Sequence, residues 1–411
     1  MSDLKARVEK ELRSNILPFW LKYTIDEEFG GFRGQITNHL VIDPKADKGL
    51  ILNARILWTF SKAFSIYREE GYLKAAARAY DYILRHFWDE KFGGVYWMLN
   101  YRGEPADTKK RVYGQAFTVY ALAEFYQATR SEDVLRRALH LCEIIEEASH
   151  DAKFGGYFET YERDWSLARD QRLSEVDMDE KKSMNTHLHM LEAYANLCRV
   201  WKGEKLQHRL RELIEIFLSR IINPTSQHFA LFFDEDWTPK SHVISFGHDI
   251  EGSWLLCEAA EIYGDPQLLE KVQDEAVRMA QAVLDGAVDS DGGLLYEAEQ
   301  GNIIDSDKHW WPQAEAVVGF LNAYQISGQE HFRAAAEKSW EFIERYIVDR
   351  QHGEWFWKVS RDGVPSNDKY KVDPWKCPYH NSRTCFEVMT RIDAGEVALP
   401  VGKKTSQFAR T

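Results

Sequence analysis

A short pattern recurs six times along this 411-residue chain, and no other feature limits its possible folds as much. Four copies are plain: DEEFGGF (26–32), DEKFGGVYW (89–97), DAKFGGYFE (151–159) and SDGGLLYE (290–297). Two are weaker, SQHFALFF (226–233) and RQHGEWFW (350–357). With Gly30, Gly93, Gly155, His228, Gly292 and Gly353 as markers, the successive spacings are 63, 62, 73, 64 and 61 residues. Each signature reads as a glycine turn followed by a short aromatic strand. A repeat of this length is one supersecondary unit, so the chain is an array of six such units within one domain.

Between the signatures the periodicity is helical. Stretches 79–88, 114–129, 186–201 and 313–327 carry apolar residues at three- and four-residue steps, flanked by cap or turn residues. Each spacer holds two helices of roughly 15 residues plus connections. Six hairpins make twelve helices. Closed on themselves they form an all-α fold, an (α/α)6 barrel; the alternative is an open helical solenoid. Closure is expected because six is the common closed number for such hairpins, an argument by fold analogy. Residues 1–392 then form a single barrel domain, and the segment 393–411 loses the periodicity and reads as a flexible tail.

Charge removes two classes of partner. A net charge of −13 argues against nucleic acid and against an anionic membrane surface. The N-terminus is charged and helical in pattern, so no signal peptide is expected, and no apolar run approaches the roughly 18 residues of a membrane span. Five cysteines, odd in number and scattered, form no Cys-x-x-Cys pair. They suit reduced thiols in a cytoplasmic protein and offer no zinc site.

The densest chemistry lies in Ser245–Trp254, SFGHDIEGSW, where a loop becomes a helix. Gly247 reads as a break, Asp249 as a helix cap, and His248 and Glu251, three apart, share a face. A histidine held against a carboxylate has its orientation and pKa set, as acid–base work needs. The plainer reading is a cap beside a satisfied, partly buried histidine. In 183–197, Asn185, His189 and Glu192 fall on one helix face while His187 points elsewhere, so His-x-His is no metal pair here. Arg55 lies among apolar helical neighbours, as a clamp for sugar oxygens or as half of a buried salt bridge. Tyr113 opens an inner-helix candidate, where it either donates to a substrate oxygen or closes the core. Pro312 marks a first helical turn, which puts Trp311 at the helix mouth and Glu315 one turn below, a pairing that suits a sugar ring. The stretch 373–383 reads as a loop because of Pro374 and Pro378, yet it holds Trp375, Tyr379, His380, Asn381 and Arg383.

The motifs NARILW, SMNTHLH, SFGHDIE, HWWPQAEA and WKCPYHN, in this order, resemble the N-acylglucosamine 2-epimerase superfamily, most of all its disaccharide-acting branch. The likeness runs from about Asn15 to Ile392. It implies an (α/α)6 barrel, no required cofactor, and epimerisation at C2 of the reducing-end glucose of a β-1,4-linked disaccharide such as cellobiose or lactose. By the same resemblance His248 and His380 are the acid–base pair, and His189 with Asn185 lines the site. Arg55, Tyr113 and Glu251 match the family's arginine, tyrosine and glutamate. Trp311 and Trp375 match its sugar-stacking tryptophans, and Asp177 in the acidic loop 171–182 is a further sugar contact.

Elementary chemistry agrees. Inversion at C2 opens the ring, removes a proton, passes through a cis-enediolate and returns a proton to the opposite face. Arg55 suits the enediolate charge, and two histidines from different repeats can face one another across a barrel lumen. The nearest alternative is an aldose–ketose isomerase, which returns the proton to C1. A glycoside hydrolase would use Glu251 and Glu315 as carboxylates across a cleft, and a non-catalytic sugar-binding module is the third alternative. The expected partner is a small disaccharide, taken by a monomer or weak homodimer without a metal.

Overall fold

The computed structural model describes residues 1–397, in which outer and inner helices alternate. The first outer helix comprises α1 (Ser2–Glu11) and α2 (Leu17–Tyr23), joined by a π turn at Leu12–Ile16. Inner α3 (Leu50–Tyr67), outer α4 (Glu70–Tyr82) and inner α5 (Val112–Thr129) follow. Next come outer α6 (Glu132–Ala148), inner α7 (Met184–Val200), outer α8 (Glu204–Ile216) and inner α9 (Phe246–Tyr263). Outer α10 (Pro266–Ala287), inner α11 (Trp310–Ser327), outer α12 (Glu330–Phe342) and inner α13 (Tyr379–Val397) complete the order. Each inner helix packs on the next, and α13 returns to α3. The ring is therefore closed, and the open solenoid is set aside.

Two corrections concern the end of the chain. The first five residues of the segment 393–411 continue α13 to Val397, and 398–411 lie outside the described residues. The stretch 373–383 is only partly a loop. Pro378 stands just before α13, where its missing N–H costs nothing, so Tyr379, His380 and Arg383 sit in the first turns of an inner helix.

Burial explains the two helix classes. Inner α5 buries 15 of its 18 residues, so its sequence has no polar face. Outer α6 buries Val134, Leu135, Ala138, Leu141, Cys142 and Ile145 at three- and four-residue steps, with Glu146 beside them, and turns Glu132, Asp133, Glu143 and Glu147 outward. No helix among the described residues is long and apolar enough to cross a membrane.

All six signatures form the same tight loop between an outer and an inner helix, each closed by one antiparallel bridge. The bridges are Ile25 to Phe32, Trp88 to Val95, His150 to Tyr157, Ile222 to Phe229, Val288 to Leu294 and Val348 to Trp355. The expected aromatic strands are thus single bridges. Gly156 shows why the glycine is needed. Its φ is +75°, and an added Cβ would stand 2.5 Å from both His187 Nε2 and the Trp237 ring.

Short strands stitch each repeat to its neighbour. Lys48–Gly49 pairs with Met98–Leu99, Lys110–Arg111 with Thr160–Tyr161, and Lys182–Ser183 with Phe232–Phe233. Val243–Ser245 pairs with Glu297–Glu299, and Lys308–His309 with Lys358–Val359. Tyr370–Val372 pairs with Ile36–Thr37, which closes the ring a second time.

A buried lysine paired with a loop aspartate locks five of the six loops. Lys48 meets Asp26 at 2.8 Å, Lys110 meets Asp89 at 3.1 Å, and Lys182 meets Asp151 at 2.7 Å. Lys308 meets Asp289 at 3.3 Å and the exposed Asp291 at 2.7 Å, and Lys371 meets Asp349 at 2.7 Å. Burial pulls the Lys110 ammonium down to about 8, although Asp89 acts in the opposite direction. In the fourth repeat both charges are gone together, with Asn223 and Ile244 in their places.

Candidate active site

The inner helices begin at one end of the barrel, and their matching positions form its floor. Counting the first residue of each inner helix as one, position six is Arg55 on α3, Phe117 on α5, His189 on α7, Glu251 on α9 and Glu315 on α11. Position four holds side chains that serve the loops instead. Gln115, His187, Asp249 and Gln313 accept the backbone N–H of Val95, Tyr157, Phe229 and Leu294, at 2.7 to 2.9 Å.

That register corrects part of the Ser245–Trp254 reading. Asp249 is no helix cap; its carboxylate takes Phe229 N–H and sits 2.8 Å from His228 Nδ1. Gly247 is no break, because it lies inside α9. An added Cβ there would stand 2.6 Å from the Trp311 ring, so glycine lets the mouths of α9 and α11 approach. His248 is not held by Glu251. Its Nδ1 meets Ser245 Oγ at 2.8 Å, and its half-buried ring packs on Trp311 with centroids 4.7 Å apart. Burial, then repulsion from His189, pulls His248 down to about 3, so it is neutral at pH 7.

His380 carries the carboxylate that was expected on His248. Its Nδ1 lies 2.7 Å from Glu315 Oε1 and 3.8 Å from Glu251 Oε1. Burial, then the cations Arg55 and Arg383, hold His380 well below the ordinary histidine range. Its ring also packs on Trp311, at 5.6 Å between centroids. His248 and His380 therefore flank Trp311 from helices two places apart in the ring, rather than from diametrically opposite walls.

Arg383 is the residue that sequence reasoning left out of the site. Its guanidinium meets Glu192, Glu251 and Glu315, and it lies over the rings of Trp254 and Tyr379. Once 379–383 is read as helix, Arg383 falls one turn beyond Tyr379 and His380, which is the signal that would have found it. Burial, then Glu315, pushes the Glu251 carboxyl up to about 7. Burial also acts on Glu192, but Arg383 and His189 outweigh it and hold Glu192 down at about 2. Asn185, His189 and Glu192 do share a face; His189 Nδ1 meets Glu192 Oε2 at 3.0 Å, and Asn185 Oδ1 has no partner. His187 turns away to Ser183 and Tyr157.

The opposite side of the floor is cationic and aromatic. Arg55 is 4 % exposed, and among the described residues no carboxylate lies within ion-pair distance of it, so it is no half of a buried salt bridge. Its guanidinium donates to Tyr113 Oη at 3.0 Å and lies over Phe117 and Tyr379. Trp375 is half-buried beside Tyr113 and Trp97, with centroids 5.9 and 5.6 Å away.

Two expected substrate contacts need revision. Glu315 is fully buried, with Oε1 engaged by His380 and Arg383 and Oε2 by Trp254 Nε1, so it acts through His380. Asp177 accepts from Ser174 N–H and Oγ–H at 2.8 and 2.7 Å, and its charge reaches Glu159, Tyr296 and Glu297. It belongs to the rim, and no hydrogen bond joins it to the histidines among the described residues. The ligand-type atoms of Glu251, Glu315 and His380 lie within 4.8 Å of one another, but Arg383 Nη2 already donates to both carboxylates. The same crowding removes the hydrolase reading, which needs two carboxylates facing a sugar about 5–10 Å apart.

Comparison with known proteins places this geometry. The profile of N-acylglucosamine 2-epimerase (GlcNAc 2-epimerase) matches residues 30–382. The chain is 47 % identical over 387 residues to a cellobiose 2-epimerase of Bacteroides fragilis, covering 94 % of this chain and 98 % of that protein. A sugar epimerase from a ruminal bacterium superposes with a TM-score of 0.91 at 39 % identity, covering 94 % of this chain and 99 % of the other. A cellobiose 2-epimerase from Bacillus thermoamylovorans B4167 gives 0.90 at 39 %, covering 95 % and 100 %. The chain belongs to the N-acylglucosamine 2-epimerase family.

Proposed function

We propose that this protein inverts C2 of the reducing-end glucose of a β-1,4-linked disaccharide, turning cellobiose into glucosyl-mannose and lactose into epilactose. The observation that carries the reading is the pair of neutral imidazoles flanking Trp311, with an unpaired guanidinium, Arg55, across the floor. The sugar ring opens, and one histidine takes the C2 proton while the C–H electron pair forms the C1–C2 double bond. The negative charge collects on the O1 side, where the buried guanidinium of Arg55 stabilises it. The other histidine returns a proton to the opposite face of C2, and the aldehyde re-forms. His189 and Asn185 hold hydroxyls or assist ring opening, and Trp311 and Trp375 stack on the two sugar rings. We place the enzyme in the cytoplasm as a monomer or weak homodimer; five buried free thiols support a reducing compartment.

One assay tests the reading. Incubation with cellobiose in heavy water should give the 2-epimer with deuterium at C2, and His248→Asn or His380→Asn should abolish epimer formation while the fold persists. A ketose as main product means the isomerase instead, and substantial epimerase activity in both single variants removes the two histidines from the proposed roles.

A further inference from the structure

One guanidinium ties the barrel floor together. Arg383 stands on α13 and is 1 % exposed. Helix α7 lies three places from α13 in the six-membered ring, so the contact between Arg383 and Glu192 crosses the barrel axis. The same group reaches Glu251 on α9 and Glu315 on α11, the latter at 2.6 Å. Arginine's planar fork serves several carboxylates at once, which the compact charge of lysine does not.

Building on the epimerase reading, we infer that Arg383 is a positioning residue, clamping Glu192 and Glu315 so that they hold the Nδ1–H of His189 and His380 and leave both Nε2 atoms for the sugar. The donor inventory carries this. Trp254 Nε1 and Arg383 can only donate, and as a carboxylate, the form that Arg383 favours, Glu315 can only accept, so its contact with His380 then places the proton on Nδ1. Glu192 likewise accepts from Arg383 and Tyr379 on one oxygen and faces His189 Nδ1 with the other. Among the described residues neither Nε2 has a protein hydrogen-bond partner. His248 stands outside this clamp, since a serine hydroxyl can either donate to it or accept from it. Arg383 lies beneath the histidines, so its effect on the sugar passes through them.

Histidine-selective 15N labelling of the full chain reads which ring nitrogen carries the proton. The wild type is expected to show Nδ1–H at His189 and His380. Arg383→Lys keeps the charge but loses the fork, so both histidines should become tautomer mixtures. With cellobiose this variant should keep KM within about twofold and lose kcat by about 100-fold or more, the scale of a misdirected general acid or base. Should the lysine variant fail to fold, Glu192→Gln reads the same coupling, with the His189 tautomer disturbed and that of His380 kept. Wild-type tautomers and kcat in Arg383→Lys, or an undisturbed His189 in Glu192→Gln, overturn the inference and reduce these groups to scaffold. A wild type that forms no 2-epimer overturns the functional reading instead, and the tautomer spectra still decide the part played by Arg383.

Discussion

Trp311 and Trp375 look alike in sequence but are held differently. Trp311 packs on His248 and His380 and against Gly247, whereas Trp375 packs on Trp97 and Tyr113. Trp375→Ala should therefore raise KM for cellobiose by the equivalent of about 1–2 kcal/mol and leave kcat near its starting value. Trp311→Ala should raise KM similarly and also lower kcat, because both histidines lose the wall that orients them. Steady-state kinetics separate the two, and equal kcat values would show that the wall does not matter. Glu251 makes a prediction about pH. Burial and Glu315 raise its carboxyl from an ordinary 4.5 to about 7. The unfolded chain gives up this proton first, so the folded state binds more protons between those values and stability falls as pH rises. The loss amounts to at most about 3 kcal/mol. Denaturant unfolding at pH 5 and pH 8 should show a smaller difference in Glu251→Gln than in the wild type; an equal difference would locate the raised carboxyl elsewhere.

At the scale of elements, the repeat is held by the lysine–aspartate clamp, and the fourth repeat shows how it can be replaced. There Asn223 keeps the acceptor for Thr225 and Ser226 N–H, as Asp349 does for Gln351 and His352, while Ile244 fills the lysine site. Lys371→Met should cost about 3–5 kcal/mol, because Asp349 is left buried without its cation. Adding Asp349→Asn should recover much of that loss. Urea midpoints of the single and double variants test it, and a double variant as weak as the sum of its singles counts against the clamp. Glycine spacing made the repeat legible from sequence, since a positive φ leaves few other choices at the turn. The clamp stayed hidden because its two halves are 17 to 31 residues apart and look like ordinary surface charges until the loop folds back. The site was legible as motifs, but not its layering. Asp249 reads as a cap and His187 as merely turned away until the repeats are aligned from each helix start, when both fall in register with Gln115 and Gln313 as holders of the loops.

The molecule as a whole is a ring whose two ends meet. Lys5 on α1 pairs with Asp393 on α13, α1 packs along α13, and the strands at 36–37 and 370–372 close the same seam. A closed ring has no privileged starting hairpin, so the chain should tolerate being opened elsewhere. The turn after α7 suits this, because Trp201 and Lys202 are exposed and the turn lies at the end of the barrel away from the histidines. A permutant beginning at Gly203, with a flexible Gly-Ser linker running from Val397 to Met1, should form the same barrel. Its stability should fall by no more than about 1–2 kcal/mol, since linking two helices that already pack on each other costs little loop entropy. Circular dichroism, small-angle scattering and epimerisation of cellobiose measure the outcome. An expanded or aggregated permutant would mean that the order in which hairpins leave the ribosome, rather than the closed set of contacts, decides whether the ring forms.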